Sequence, residues 1–240
     1  MYGLLKYTDL DLAIQTRMSN QAPNATTRLQ YINNLMKDLI TRYNVEVAKR
    51  TVIVELEPDG EPIDIDTIIT NLDCKKIDKI RVSDLENRTQ DYVPVEEDVF
   101  TNNYAANLRK NEWSFYTENR KRYLRVNSLD YGDTETVEFK ITYFTTNLAV
   151  DDTSSGEDGF IPEAINSSNC YLLIPAEWKE LAVAGITQHL YLMSLGMVDG
   201  ERYAAIAKNQ YKSELERFGL NKEARKIRVD ESCVQIHSLI

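Results

Sequence analysis

The two histidines, His189 and His237, are the side chains best suited to act as a general base near neutral pH. Nucleophilic catalysis needs such a base beside a hydroxyl or thiol. His189 lies in a long uncharged segment, with no Cys, Asp or Glu three or four residues away, and His237 lies near the C-terminal end. The sequence also lacks the spacings GxSxG, GxxxxGK[ST], GxGxxG and HExxH. We therefore predict no enzymatic activity, no catalytic or metal site and no cofactor, with His189 as a neutral, hydrogen-bonded core residue.

Clustered carboxylates are the next candidates for chemistry. They occur at 96–98 and 151–152, and the segment "DIDTIITNLD" resembles a calcium loop in composition. That segment lacks the central glycine and the terminal glutamate of an EF-hand. We interpret these acids as solvated surface, and an enzyme with an unfamiliar acidic site remains an alternative.

A basic and aromatic segment, "RKNEWSFYTENRKRYLR" (109–125), interleaves six cations with Trp113, Phe115, Tyr116 and Tyr123. Such a ribbon can hold single-stranded nucleic acid by stacking and by phosphate contacts. The whole chain, however, carries a net charge of −10 with a pI near 4.9. That charge opposes binding to phosphates and favours a hairpin with a charged tip or an acidic neighbour. A nucleic-acid-binding module using 109–125 stays an alternative.

Composition sets broad limits on the protein. Its 240 residues suffice for one large domain or two modest ones, and a hydrophobic fraction of 42% allows a real core. The 14 tyrosines indicate either protein–protein contact or a thin, partly solvated core in which Tyr replaces Phe. Cys74, Cys170 and Cys233 are too far apart for a CxxC site and odd in number, which favours a reducing compartment. The start of the sequence lacks the basic and apolar pattern of a signal peptide.

Periodicity predicts helices at both ends of the sequence and strands in the middle. Helical spacing marks 8–18 and 26–43, then two helices from Pro175 to about Gly196 and from Glu201 to Phe218. Strand patterns mark 51–56, 77–85, a hairpin over 111–126, a short strand "YLLI" at 171–174, and "TVEFKITYF", in which apolar and polar residues alternate. We predict an α+β fold in which the terminal helices form an antiparallel bundle with an inserted, mostly antiparallel β unit. The predicted segments are 1–48 for the N-terminal helices, 49–150 for the β unit, 151–169 for a flexible acidic loop, 170–219 for the C-terminal helix pair, and 220–240 for an extended tail.

The segment "LAVAGITQHLYLMSLGMV" (181–198) holds no charged residue. It is barely long enough to span a bilayer and includes polar residues, so we predict no membrane span. One helical stripe, running from Trp178 to Met193, would face the bundle core. Since other apolar residues lie off that stripe, we predict that a neighbouring subunit covers them, and a second face buried by the chain itself is the alternative. The predicted interface residues are Val183, Leu192, Leu195, Tyr203 and Tyr211.

The layout resembles that of tailed-bacteriophage head-to-tail adaptor (connector) proteins. The likeness lies in the N-terminal helix pair, the inserted β unit, and the closing pattern "PAEWKELAVAGITQHLYLMSLGMVDGERYAAIAKNQYKSELERFG" before a free tail. It covers the organisation of 1–48 and 170–240 and rests on layout, not on a diagnostic motif. The inserted β unit exceeds what the simplest family members carry.

The resemblance implies a non-enzymatic virion protein of the head–tail neck, assembled in the host cytoplasm. Its members form rings, commonly of twelve subunits, between the portal and the next tail ring. DNA passes through such a ring without sequence-specific binding, and an acidic wall would repel its phosphates. The family's C-terminal tails often reach the portal, a role that would fall here to Arg225, Lys226, Ile227, Arg228 and Val229. A tail-tube or tail-completion protein is the alternative within the virion.

Overall fold

A computed structural model describes residues 3–69, 73–82, 91–132, 135–151, 160–161, 164–166, 169–195 and 197–220. The described residues divide into two compact units. Unit 1 draws on Met1–Ala48 and Thr146–Ile240, and unit 2 on Lys49–Thr145. Residues 221–240 of the predicted tail, with the portal-docking residues 225–229, lie outside the described residues, and Leu220 is buried in the core of unit 1.

Helices and strands both contribute to the fold, which is mixed α+β with mostly antiparallel sheets. The α-helices are α1 (Tyr7–Met18), α2 (Ala25–Arg42), α3 (Ile65–Ile68), α4 (Glu97–Ala105), α5 (Lys179–Ser194) and α6 (Met197–Arg217). The strands are β1 (Leu4–Lys6), β2 (Lys49–Leu56), β3 (Ile63–Asp64), β4 (Cys74–Val82), β5 (Val93–Pro94), β6 (Glu112–Glu118), β7 (Lys121–Asn127), β8 (Val137–Thr145), β9 (Ala149–Asp151), β10 (Phe160–Ile161) and β11 (Cys170–Pro175).

Helices α1 and α2 are joined by a buried ion pair. The Arg28 guanidinium on α2 donates through Nε to Asp11 Oδ1 at 2.7 Å and through Nη2 to Asp11 Oδ2 at 3.0 Å. Asn24 caps α2 by accepting a hydrogen bond from the Thr27 amide. Thr8, by contrast, is exposed inside α1, which has no side-chain cap. The residues "TDLD" at 8–11 have the spacing of a capping box, but Thr8 does not cap α1, and Asp11 binds Arg28 instead.

Unit 1 also contains a four-stranded antiparallel sheet, which the sequence analysis did not predict beyond its strand at 171–174. The strand order is β1-β11-β9-β10. Because β9 pairs with β11, residues 146–150 belong to unit 1, and the predicted β unit ends at Thr145 and not at 150.

Parts of the predicted acidic loop 151–169 pack on unit 1. Strand β10 pairs with β9, and Ile165 is buried. The Asn33 side chain accepts from the Ile165 amide at 2.6 Å and donates to its carbonyl at 3.0 Å. Residues 152–159 of the loop lie outside the described residues.

Unit 2 is built on two sheets around one apolar core. Strand order is β2-β8-β4 in the first sheet and β3-β7-β6-β5 in the second, where β5 and β6 are parallel. The predicted alternation in β8 is confirmed, since Val137, Phe139, Ile141 and Tyr143 are buried between more accessible neighbours. The predicted hairpin is also confirmed, with Asn119 and Arg120 both at positive φ in its two-residue turn.

Cysteine reactivity should report the opening of each unit separately. Burial raises the pKa of the Cys74 thiol in unit 2 to about 12 and that of Cys170 in unit 1 to about 11. Because the thiolate is the reactive form, we expect iodoacetamide at pH 8 to modify both at least about a hundredfold more slowly than in urea-unfolded protein. Mass spectrometry of peptides from a timed reaction measures both rates. Equal rates in the folded and unfolded protein at either cysteine would contradict that cysteine's burial.

Candidate functional site

Helix α5 lies at the centre of unit 1, where α1, α2 and α6 all pack against it. Residues 181–187 are all buried, so all sides of these two turns are covered. Val183 is only 2% exposed and belongs to the unit's own core. The prediction that Val183 lies at a subunit interface is therefore wrong. The alternative explanation, a face buried by the chain itself, holds for this half of the helix.

The C-terminal end of α5 differs from its centre. Leu192 is 55% exposed and Met193 is 62% exposed, although Met193 was predicted on the core-facing stripe. The first turns of α6 hold further exposed apolar residues. We call the following set the α5–α6 surface: Leu192, Met193, Val198, Tyr203 and Ile206.

Two other predicted interface residues, Leu195 and Tyr203, differ in exposure. Leu195 is partly buried and packs on the core of unit 1. Tyr203 is 46% exposed, and its ring lies 5.4 Å from the ring of buried Tyr191. Of the predicted interface residues, Leu192 and Tyr203 are therefore accessible, and Leu195 is partly buried against the core of unit 1.

Tyr211 lies inside unit 1 and not at its accessible apolar surface. Its ring packs over Gly185, where an added Cβ would come within 2.9 Å of Tyr211 Cε2. Burial, followed by the charge of Asp38, raises the pKa of its hydroxyl. Tyr211 is partly buried, with its ring against Gly185 of α5, so a subunit contact could reach only the part of the ring that faces the groove.

Helices α5 and α6 also meet closely at Gly200, which lies in the first turn of α6. The Asp-Gly pair at 199–200 has the composition of a turn and so predicts the end of the preceding helix, but α6 already begins at Met197. A Cβ on Gly200 would lie 2.8 Å from the Tyr191 carbonyl oxygen. Glycine is therefore required here for close approach of two backbones.

Gly200→Ala is expected to destabilise unit 1 by about 1–3 kcal/mol, since the clash outweighs alanine's helix propensity. The carbonyl it would meet belongs to the backbone of α5, so a rotamer change cannot relieve the contact. Urea titration followed by Cys170 alkylation measures this loss. Gly132→Ala, whose Cβ would meet Glu135 at an ordinary 3.7 Å, serves as the control. Unchanged stability in the Gly200 variant would contradict the close contact.

A groove of about 510 Å³ runs between α2, α5 and α6. His189 lies on its rim and is exposed, with its ring stacked on Tyr31 at a centroid distance of 6.0 Å. The prediction of a core histidine is therefore wrong: the helix turns His189 outward after its buried half. The lining residues are Tyr31, Asn34, Leu35, Asp38, Arg42, Gly185, Gln188, His189 and Tyr211.

Nothing in the groove's composition assigns it a reaction. Its carboxylate, Asp38, forms an ion pair with Arg42 one turn away. Within the described ranges, no group of three or more potential metal ligands comes together. Nor does any helix in these ranges have the length and hydropathy to cross a bilayer.

Three of the six cations in 109–125 form ion pairs within unit 2. Lys121 Nζ lies 3.0 Å from Asp64, Arg122 pairs with Asp66, and Arg125 lies 2.8 Å from Glu97 on α4. The hydrogen bond from Lys121 is the main cause that lowers the pKa of Asp64. Such pairing leaves these cations poorly placed to neutralise phosphates.

The aromatic residues of the hairpin are also engaged. Trp113 is 5% exposed and donates its indole N–H to the Tyr92 carbonyl at 3.1 Å. Tyr116 and Tyr123 stack on each other with ring centroids 5.5 Å apart. The Arg125 guanidinium lies 4.8 Å from the Phe100 ring centroid of α4. This arrangement gives no support to a stacking platform for bases.

The most buried carboxylate in the described chain is Asp73, at 1% exposure. It accepts from Arg50 Nη1 at 2.6 Å, Thr145 Oγ1 at 2.8 Å and the Tyr143 hydroxyl at 3.1 Å. Burial, then the charge of Asp73, raises the pKa of Tyr143. Sequence reasoning missed this group because its partners are 23 to 72 residues apart and match no motif. Asp73 directly precedes β4 and binds Arg50 of β2 and Tyr143 and Thr145 of β8, so it links the three strands.

Comparison with models of known protein families and with curated proteins finds no match to this sequence.

Proposed function

We propose that the protein is a structural subunit of a phage neck, a ring-forming head-to-tail adaptor that docks on the portal and continues the DNA channel. The terminal helices would form the antiparallel bundle predicted from the sequence, and residues 225–229 would carry the predicted contact with the portal. The resemblance in layout supplies the class of protein, the expected twelve subunits and the virion location.

One observation carries the assembly part of the proposal: unit 1 covers the centre of α5 and leaves the α5–α6 surface exposed. Several large apolar side chains left exposed where α5 passes into α6 are typical of a contact with another protein. Tyr203 adds an aromatic residue of the kind enriched at interfaces. A second copy of the chain is the partner that a ring requires.

Charge supports the channel part of the proposal. The net charge of −10 would give a ring of these subunits a strongly negative field. A negative wall weakens contact with DNA phosphates and lets the duplex slide. The paired cations of the hairpin agree with this role better than with nucleic-acid binding.

Light scattering coupled to size exclusion, run at several protein concentrations, tests the proposal. The expected result is a mass several times the 27.6 kDa of one chain, and twelvefold for the ring that the resemblance implies. A protein that remains monomeric at every concentration, with the portal protein of the same virion added, would overturn it.

A further inference from the structure

Strand β2 forms one edge of the first sheet of unit 2. It spans Lys49–Leu56 and pairs with β8 in unbroken register on one side. On its other side, Thr51–Leu56 has no strand neighbour among the described residues. An open strand presents a row of backbone donors and acceptors that can pair with another chain.

The other edge strands are short or partly covered. Strands β1, β3, β5 and β10 have only two or three residues, and β5 contains Pro94. Strand β4, at the far edge of the same sheet, has register shifts at two places, and its carbonyl at Ile80 accepts from the Tyr92 amide at 3.0 Å. Thr51–Leu56 has no proline, no register shift and no strand neighbour within the described ranges, so it is the edge best able to receive a strand.

The direction of the backbone groups of β2 follows from the opposite edge of the sheet. Because the Ile80 carbonyl bonds to the Tyr92 amide, the backbone groups of Ile80 point away from β8. Ile141 of β8 lies between Ile80 and Val52, so it directs its own N–H and C=O groups toward Val52. This direction alternates along a strand. The residues whose N–H and C=O groups point to the open edge are therefore Thr51, Ile53 and Glu55.

The apolar residues of β2 match each other in the antiparallel register that is centred on Ile53. Val52 would then lie across from Val54 of a second copy. Both valines are only half buried against the core of unit 2, so each would be covered by its counterpart. On the opposite face, Ile53 is 56% exposed and would lie directly across from Ile53 of the second copy. Branched side chains stabilise strands by packing against such cross-strand neighbours.

The charges of β2 are compatible with the same register. Glu55 already lies across from Glu138 of its own sheet, where like charges repel. The register would place neutral Thr51 on the other side of Glu55 and keep the two copies of Glu55 apart. At each end, Lys49 would lie across from exposed Glu57 of the second copy, which brings opposite charges together, although Lys49 also forms an ion pair within its own chain.

We propose that β2 pairs with β2 of a second copy, antiparallel and centred on Ile53, and so extends the sheet of β2, β8 and β4 across two copies. Two residues that face each other in this way exchange two hydrogen bonds, so the three pairs formed by Thr51, Ile53 and Glu55 give about six. The same surface is used by both copies, so the contact is two-fold. It goes beyond the proposed ring, because a two-fold contact joins two copies and does not by itself build a ring.

Disulfide trapping between two full-length variants tests the register, since so small a contact is transient and is better measured covalently than by mass. Both variants carry Cys233→Ser; one adds Thr51→Cys and an affinity tag, and the other adds Glu55→Cys. Both positions are exposed, and the native Cys74 and Cys170 are buried. The register places the Cα atoms of residues 51 and 55 of the two copies about 5.5 Å apart, within reach of a disulfide, and those of like positions roughly 14 Å apart.

Mild oxidation should therefore link tagged to untagged chains at least tenfold more than it links either variant to itself. Replacing Glu55→Cys by Leu12→Cys, at 63% exposure on α1, should remove this excess. Gel electrophoresis without reductant, followed by detection of the tag, measures all three products.

Ile53→Glu adds a second readout. Ile53 lies across from Lys140 on β8, so the new carboxylate would face a cation within its own sheet and leave unit 2 folded. Between two copies it would face an identical carboxylate, and the mixed link should fall at least tenfold when both chains carry the change. Ile53→Thr, which keeps a neutral branched side chain, should retain most of the link. Cys74 alkylation checks the folding of unit 2 in both variants, and an unchanged link in the folded Ile53→Glu protein would overturn the pairing.

The outcomes separate this inference from the proposed function. A ring in light scattering, without an excess of mixed over like links, would overturn the strand pairing and leave the ring standing. An excess of mixed links in a protein that forms no ring would support the pairing and overturn the proposed function alone. A link formed only to added portal protein would assign the open edge to the portal and overturn the inference. The absence of both ring and link would overturn both proposals.

Discussion

Leu192→Glu is expected to leave the subunit folded and to abolish its assembly. Leu192 is 55% exposed at the end of α5, so a charged replacement can remain in water in the isolated subunit. At a subunit contact, the same change removes about 1.5–3 kcal/mol of apolar burial. It also places an unpaired carboxylate there, at a further cost of several kcal/mol. Each contact should weaken by at least about a hundredfold.

Light scattering and circular dichroism together measure this result. The variant should have the mass of one chain and the same helical signal as the parent protein. Two other substitutions serve as controls, one in the core and one on an exposed helix face. Leu190→Glu, at a position with 0% exposure, should unfold unit 1, whereas Leu12→Glu on α1, at 63% exposure, should assemble normally.

The Leu192 variant decides between two explanations of the α5–α6 surface. Assembly equal to that of the parent protein would show that the ring contact lies elsewhere. Unfolding would show that Leu192 is part of the subunit's own core, as its neighbour Leu190 is. Loss of assembly with retained folding is the single result that the interface explanation predicts.

Asp73→Ala is expected to destabilise unit 2 by about 3–5 kcal/mol. The substitution removes the carboxylate that receives Arg50, Tyr143 and Thr145 in the interior, while the Arg50 side chain is only 9% exposed. Removing one partner of a buried ion pair leaves the other charge without compensation. A loss of that size is comparable to the whole stability of many domains, so unit 2 should populate unfolded states measurably.

A surface aspartate in the same unit provides the matched control. Asp91 also binds two cations, Lys79 and Arg81, but its side chain is 46% exposed. Exposed pairs contribute about 0–1 kcal/mol, so Asp91→Ala should change stability little. Urea titration followed by Cys74 alkylation measures unit 2 in both variants, and Cys170 alkylation shows whether unit 1 is affected.

A double substitution separates the burial of charge from simple loss of packing. Arg50→Met with Asp73→Leu replaces both charges by apolar groups of similar size and should be less damaging than Asp73→Ala alone. If Asp73→Ala and Asp91→Ala have equal effects, the Asp73 network does not stabilise unit 2 as described.

Local pattern alone determined much of the secondary structure. The alternation in β8 and the hairpin of β6 and β7 followed from apolar residues at every second position, since a strand turns successive side chains to opposite faces. The helices were located by the same argument at helical spacing. The predicted helix ends were less accurate. Gly200 was interpreted as a helix end but lies inside α6, because the sequence does not distinguish a glycine required for close helix packing from one required for a turn.

Tertiary structure decided which apolar faces the subunit covers by itself. The composition of α5 indicated that it needs cover on several sides, but sequence cannot say whether that cover comes from the same chain. Folding brought α1, α2 and α6 around residues 181–187, which buried Val183 and partly buried Tyr211, and left Leu192 and Tyr203 exposed. The Asp73 group depends likewise on strands far apart in sequence. Burial is a property of what surrounds a residue in space, and periodicity records only which side of an element the residue is on.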